Sequence, residues 1–193
     1  FVTEGSSATI QFEDNTAIIM KELTSLNVSE FENSKLNPKI KAELLKGKII
    51  IESGSIAKNS NGKMLIDVLT TSLGLRGTRV DININTDGKS EISLAKDSFG
   101  NVGELEVSSE GQTSTISSPE QVLEVSENNE VNSREKTNEE KEEEKNVTET
   151  LIKSSKIDEI EIEQQLQKKL EEGKLQDANN LSLIHISEPT RPL

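Results

Sequence analysis

The chain has no cysteine, tryptophan or tyrosine, and only four phenylalanines and one histidine among its 193 residues. Without thiols there is no structural disulfide, no thiolate nucleophile and no cysteine-based zinc site. With so few rings, Leu, Ile and Val must supply the buried surface, so the expected core is thin and aliphatic. No apolar run reaches the roughly 18 residues that a spanning helix needs, and the longest candidate, around LLKGKIII, is interrupted by Lys and Gly. Also missing are a Walker loop, a nucleophile elbow, a Gly-rich dinucleotide turn and a metal-binding His pair. The sequence therefore assigns no catalytic residue, no cofactor site and no metal site. Carboxylates are plentiful, but acid–base chemistry needs two of them converging in one cleft, which spacing does not show. They read as solvated surface groups, and a hydrolase built on paired carboxylates is the weakest of three functional readings.

What is abundant is negative charge. The formal net charge is -13, from 35 acidic and 22 basic residues. Nucleic-acid phosphates and anionic lipid headgroups would be repelled by such a chain, and solubility is the plain reading of the charge. The length suits one domain with appendages. The start at Phe1 rather than Met reads as a cut edge, leaving room for an upstream export signal or anchor.

From residue 1 to 125 the sequence shows short period-two patterns, the mark of strands with one buried face. Ala8, Ile10 and Phe12 alternate; Glu13-Asp14-Asn15 supplies a turn; Ile18 and Met20 resume. Leu26 and Val28 follow, then Ile40, Ala42 and Leu44, then Ile49 and Ile51 after Gly47, then Met64, Ile66 and Val68 after Asn61-Gly62. Val80, Ile82 and Ile84 alternate most cleanly, and Asp87-Gly88 offers the positive-φ pair of a tight hairpin leading to Ile92 and Leu94. Val102, Leu105, Val107, Ile116, Leu123 and Val125 are the later inward candidates. Many short strands with Gly or Asn turns indicate an all-β domain: sandwich, barrel or irregular solenoid. Residues 38–46, PKIKAELLK, admit a short helix as a rival, and strand is favoured there.

Residues 126–150 carry Val131 and Val147 as their only apolar side chains and are expected to be a disordered acidic linker, a charged spacer. Residues 151–180 are expected to hold a short amphipathic helix, with Ser155 and Asp158 at its start, Ile157, Ile160, Leu166 and Leu170 on one face, and Gly173 at its end. Residues 181–193 read as an adapter-derived artefact. LSLIHISEPTR, 181–191, matches a frame translation of the transposase adapter used in preparing DNA libraries. Exclusion of that segment removes His185, the one histidine, from any general-base or metal argument.

Lys35, Lys39, Lys41, Lys46 and Lys48 cluster without interleaved aromatics. They read as a solvated strand face that discourages edge pairing, or, more sharply, as a docking patch for the chain's own acidic segment. Leu75-Arg76-Gly77-Thr78 is the other notable stretch. A strand enters through Leu73 and Leu75, Gly77 permits a bend, Thr78 bonds locally, and Arg76 brings five donors to the bend. Arg76 is expected to clamp the fold, with ligand binding as its alternative role.

Several stretches, in order, resemble the FecR domain family: GSSATIQFEDNTAIIM, with its Phe-x-Asp turn; LLKGKIIIESGSIAK; MLIDVLTTSLGLRGTRVDI, running into Arg-Gly-Thr; and DSFGNVGELEVSSEGQTSTISSPEQVLEV. The resemblance covers most of residues 5–125. It implies a twisted, solenoid-like all-β domain without enzyme activity, periplasmic or extracellular in a Gram-negative bacterium, with Leu75, Arg76, Gly77 and Thr78 as a structural family motif. It implies a protein partner, with a role in transmembrane signalling or sigma-factor regulation. No cofactor is implied. Two departures stand out: no membrane segment precedes the domain within the chain, and an acidic stretch follows where such regulators carry a small mixed α/β domain. A structural or adhesive unit of a larger secreted surface protein is the alternative function.

Overall fold

The computed structural model describes residues 1–109, 112–126, 128, 130–149 and 151. The expected helix at 151–180 and the adapter-like segment 181–193 fall outside the described residues, apart from helical Leu151. Two compact units are present, Phe1–Asn146 and Val147–Leu193.

The described residues of the first unit form twelve strands: β1 (Ala8–Gln11), β2 (Ala17–Met20), β3 (Ser25–Glu32), β4 (Lys39–Glu52), β5 (Lys63–Val68), β6 (Thr71–Arg76), β7 (Arg79–Ile84), β8 (Ser90–Ala95), β9 (Glu104–Ser109), β10 (Gln112–Ile116), β11 (Gln121–Val125) and β12 (Val131–Glu135). A one-turn helix, α1 (Ser55–Lys58), follows β4, and residues 138–149 form a second helix, α2. The expected all-β class holds, with the sheet curled into a half-barrel. Its main path runs β10-β9-β6-β5-β4-β7-β8-β11-β12. That order spreads to both sides of β4.

β4 makes this curl possible. Its first half pairs with β3 and, in parallel, with β5; its second half pairs with β2 and β7. Ile40, Ala42 and Leu44 are buried in the first half, and Ile49 and Ile51 in the second. The inward set thus changes from even to odd positions, which requires one extra residue between the halves. Gly47 supplies the conformation, at φ +86, and a Cβ there would lie 2.6 Å from the Cα of Thr24. The strand alternative for residues 38–46 is the observed one.

The core is aliphatic, as expected. Ile18, Ile66, Leu73, Val80, Ile82, Ile92 and Leu105 are all fully buried, each contributing about 1.5–3 kcal/mol of transfer free energy. Phe12 only packs against the edge of this cluster, and Phe1 and Phe99 face solvent. Three expected inward residues turn out otherwise. Ala8 is exposed and Val28 is 36% exposed, because β1 and β3 are edge strands, while Val102 lies in a loop.

The expected disorder of 126–150 is corrected. β12 pairs with β11 from Gln121↔Glu135 to Val125↔Val131, and α2 begins at residue 138. Counting apolar residues missed two other sources of order: a backbone ladder, and charges whose partners lie on distant strands.

Candidate protein interface

The outward face of β4-β7-β8-β11-β12 is where ionisable groups converge. Arg79 opens β7 and Asp81 follows on the same side, as period two requires. Their cross-strand neighbours on β8 are Ala95 and Ser93. Both are small, and the long guanidinium side chain lies over the sheet where larger residues would stand. Arg79 is fully buried. Its Nε donates to Asp81 Oδ1 at 3.3 Å, and its Nη1 donates to the carbonyl of Glu144 at 3.2 Å. Burial raises the Asp81 pKa above the ordinary carboxylate value, against the pull of Arg79, Lys136 and Lys48.

Covering this face is α2, whose start is fixed by a reciprocal capping box. Thr137 Oγ1 accepts from the Glu140 amide at 3.3 Å, while a Glu140 carboxylate oxygen accepts from the Thr137 amide at 2.7 Å. Glu140, Glu143 and Glu144 then fall on one helical face at i, i+3 and i+4, turned toward the sheet. Each meets a cation. Arg134 donates bidentately to Glu140, both distances 2.8 Å, and also reaches Glu124 at 2.6 Å and Glu91 at 3.1 Å. Lys48 Nζ donates to Glu143 at 2.6 Å. Lys136, almost wholly buried, donates to Glu144 at 2.6 Å and to the Leu94 carbonyl at 2.7 Å. The hydrogen bond from Arg134 holds the Glu140 carboxyl down at about 2. The space left between helix and sheet, lined by Lys48, Asp81, Ser93, Val122 and Lys136 among others, is about 50 Å³. A few waters fill such a volume, and a metabolite does not fit.

The motif expected from sequence lies at the neighbouring corner. Leu75 is buried in the core. Arg76 is half exposed, its Nε 3.7 Å from Glu106 Oε1, so the buried guanidinium of this stretch is Arg79 and not Arg76. Gly77 turns the chain at φ +64. Thr78 is buried and donates to the carbonyls of Arg79 or Ala95, both at 3.3 Å, while its own carbonyl accepts from Ser53. Of the lysine run, Lys48 alone of the five meets α2, joined by Lys21 at 4.0 Å from Glu143. Lys39 pairs with Glu30, Lys41 with Asp67, Lys46 stacks over Phe1, and Lys35 is exposed.

Sequence reasoning also passed over Asp14, taken simply as a turn residue. Its carboxylate is buried and accepts from the Thr16 amide at 3.0 Å, the Thr16 hydroxyl at 2.8 Å and the Ile56 amide at 3.1 Å, thereby capping α1. Thr16 Oγ1 in turn accepts from the Gly54 amide. The Phe12–Thr16 turn and the end of β4 are therefore one hydrogen-bonded knot. Among the described residues no three His, Cys, Asp or Glu side chains are placed to hold a metal ion, and no helix is long and apolar enough to cross a membrane.

A family model described as FecR protein matches residues 1–102. Among solved structures, two crystal structures of a protein described as a "putative anti-sigma factor" from Parabacteroides distasonis ATCC 8503 share the fold, with TM-scores of 0.56 and 0.55 at 12% identity. Each alignment takes in 70% of this chain, and the chain spans 58% of the length of those structures. No curated protein matches in sequence.

Proposed function

The chain belongs to the FecR family, and from that premise we propose that it is a non-enzymatic signalling module of the cell envelope, acting through protein contacts in sigma-factor regulation. The observation that carries the reading is the family match over residues 1–102. Likeness in fold to a protein described as an anti-sigma factor supports it. The module works on the periplasmic or extracellular side and recognises a protein, with Leu75, Arg76, Gly77 and Thr78 holding the corner of the sheet rather than touching a ligand.

β3 suits such a contact. It pairs on one side only among the described residues, six of its eight residues are exposed, and Val28 and Phe31, which lie opposite Ala42 and Ile40, stay 36% and 38% exposed. A strand with a free backbone edge and alternating apolar side chains is a template for an added strand. The test is an in-frame chromosomal deletion of the codons for residues 1–102, followed by transcriptome sequencing. The expected result is a change confined to promoters that share one sigma-factor recognition sequence. A transcriptome indistinguishable from the parent's refutes the role.

A further inference from the structure

The helix α2 is held in an unusual way. Helices on sheets ordinarily bury an apolar stripe, yet the stripe that α2 turns to the sheet within residues 138–146 is Glu140, Glu143 and Glu144. Between residues 137 and 146, TNEEKEEEKN, there is no apolar side chain at all. Within that segment charge and hydrogen bonds do the holding, and the next residue of the helix, Val147, is buried. Two of the three ion pairs are partly open to solvent: the side chains of Lys48 and Glu143 are 28% and 43% exposed, and those of Arg134 and Glu140 31% and 32%. Pairs open to solvent in this way are screened by salt.

The face beneath is complementary. It presents Lys21, Lys48, Arg79, Arg134 and Lys136 against the carboxylates Asp81, Glu91 and Glu124. Uncovered, it is a net cationic strip on a protein whose overall formal charge is -13. The cations are also pre-positioned: Arg134 is fixed by Glu91 and Glu124, and Lys136 by the Leu94 carbonyl, contacts that do not involve α2.

We propose that residues 137–146 are a detachable latch over a cationic strip, and that the strip takes an acidic helical segment of a partner protein in the latch's place. Glutamates at i, i+3 and i+4 are the recognition element, since that spacing reaches Arg134, Lys48 and Lys136 together. The latch rests on these contacts and is independent of the signalling role; it can fail while that role stands, and the reverse.

The absence of cysteine allows a direct assay on the full chain. Ser93 lines the space under α2, and Ser93→Cys places a single thiol there, with exposed Ser117→Cys as the control. Reaction with a maleimide is followed between low salt and 1 M NaCl, and again in the Glu143→Lys/Glu144→Lys background. The expected result is labelling of the Ser93→Cys thiol about tenfold faster at high salt and in the charge-reversed chain, the factor that losing two or three such pairs implies. The control thiol keeps its rate. A synthetic peptide of residues 137–146, added to the charge-reversed chain, slows labelling again, and the same peptide with glutamine at 140, 143 and 144 does not. Rates independent of salt in the unreversed chain, which cannot be blamed on misfolding of the variant, would overturn the latch. A native peptide that gives no protection would overturn the docking strip.

Discussion

Replacing Arg79 with methionine should destabilise the first unit by about 3–5 kcal/mol, because the change breaks a buried ion pair and leaves Asp81 behind without its nearest countercharge. Methionine keeps the length of the aliphatic stem, so the cavity contribution is small and the loss is electrostatic. The bonds removed include those to Asp81 and to the Glu144 carbonyl. Lys136 and Lys48 still favour the ionised Asp81, which places the expected cost toward the lower end of that range. For a unit of this size each kcal/mol is worth about 2–4 °C, so melting should fall by about 6–12 °C or more. Far-UV circular dichroism is the suitable probe, since the chain has no tryptophan or tyrosine to report by fluorescence. Arg76→Ala, at a half-exposed residue with one 3.7 Å pair, should cost no more than about 1 kcal/mol. The double variant Arg79→Met/Asp81→Leu should recover most of what Arg79→Met loses, since it removes the stranded carboxylate as well. The reasoning fails if Arg76→Ala costs more than Arg79→Met, or if the double variant melts no higher than the single.

Asp14→Ala leaves the Thr16 and Ile56 amides without their acceptor and should cost about 2–3 kcal/mol in urea unfolding; a loss below half of that would contradict the knot at α1. Gly54→Ala should prevent folding, because its Cβ would stand 2.1 Å from the main-chain carbonyl oxygen of Asp14; a soluble variant with an unchanged melting curve would show that the turn is not packed so closely. Stability should also vary with pH through Glu140. Its carboxyl lies at about 2 in the folded protein against an ordinary 4.5, so its contribution is complete above about pH 4.5 and is lost as pH falls from there through 2. Glu140→Gln should flatten that acid limb, and an unaltered limb would remove Arg134–Glu140 from the account. Asp81 acts with the opposite sign: its raised pKa means the folded state holds the proton more tightly, so its contribution falls as pH rises, and Asp81→Asn should abolish that pH dependence while lowering stability overall by removing the carboxylate that pairs with Arg79.

The strands were legible because each carries its own evidence. Val80, Ile82 and Ile84 alternate without interruption and are followed by Asp87-Gly88, and the structure closes that hairpin with Gly88 at φ +79. Even the kink of β4 was written in the shift from Leu44 to Ile49. The charged seam was not legible, since its geometry depends on which strands become neighbours. Arg79 and Arg76 look alike until register sets one over Ala95 and the other against Glu104 at the rim. The partners of Glu143 and Glu144 include Lys48, far back in the chain. One local signal was available and unread: Thr137 followed by Glu140 is the pattern of a capping box, and glutamates at 140, 143 and 144 mark a face.

Because the two halves of the sheet share β4 as a single covalent strand, neither has a seam along which it can part from the other. To separate them, the pairing along that one strand has to break on both sides of Gly47.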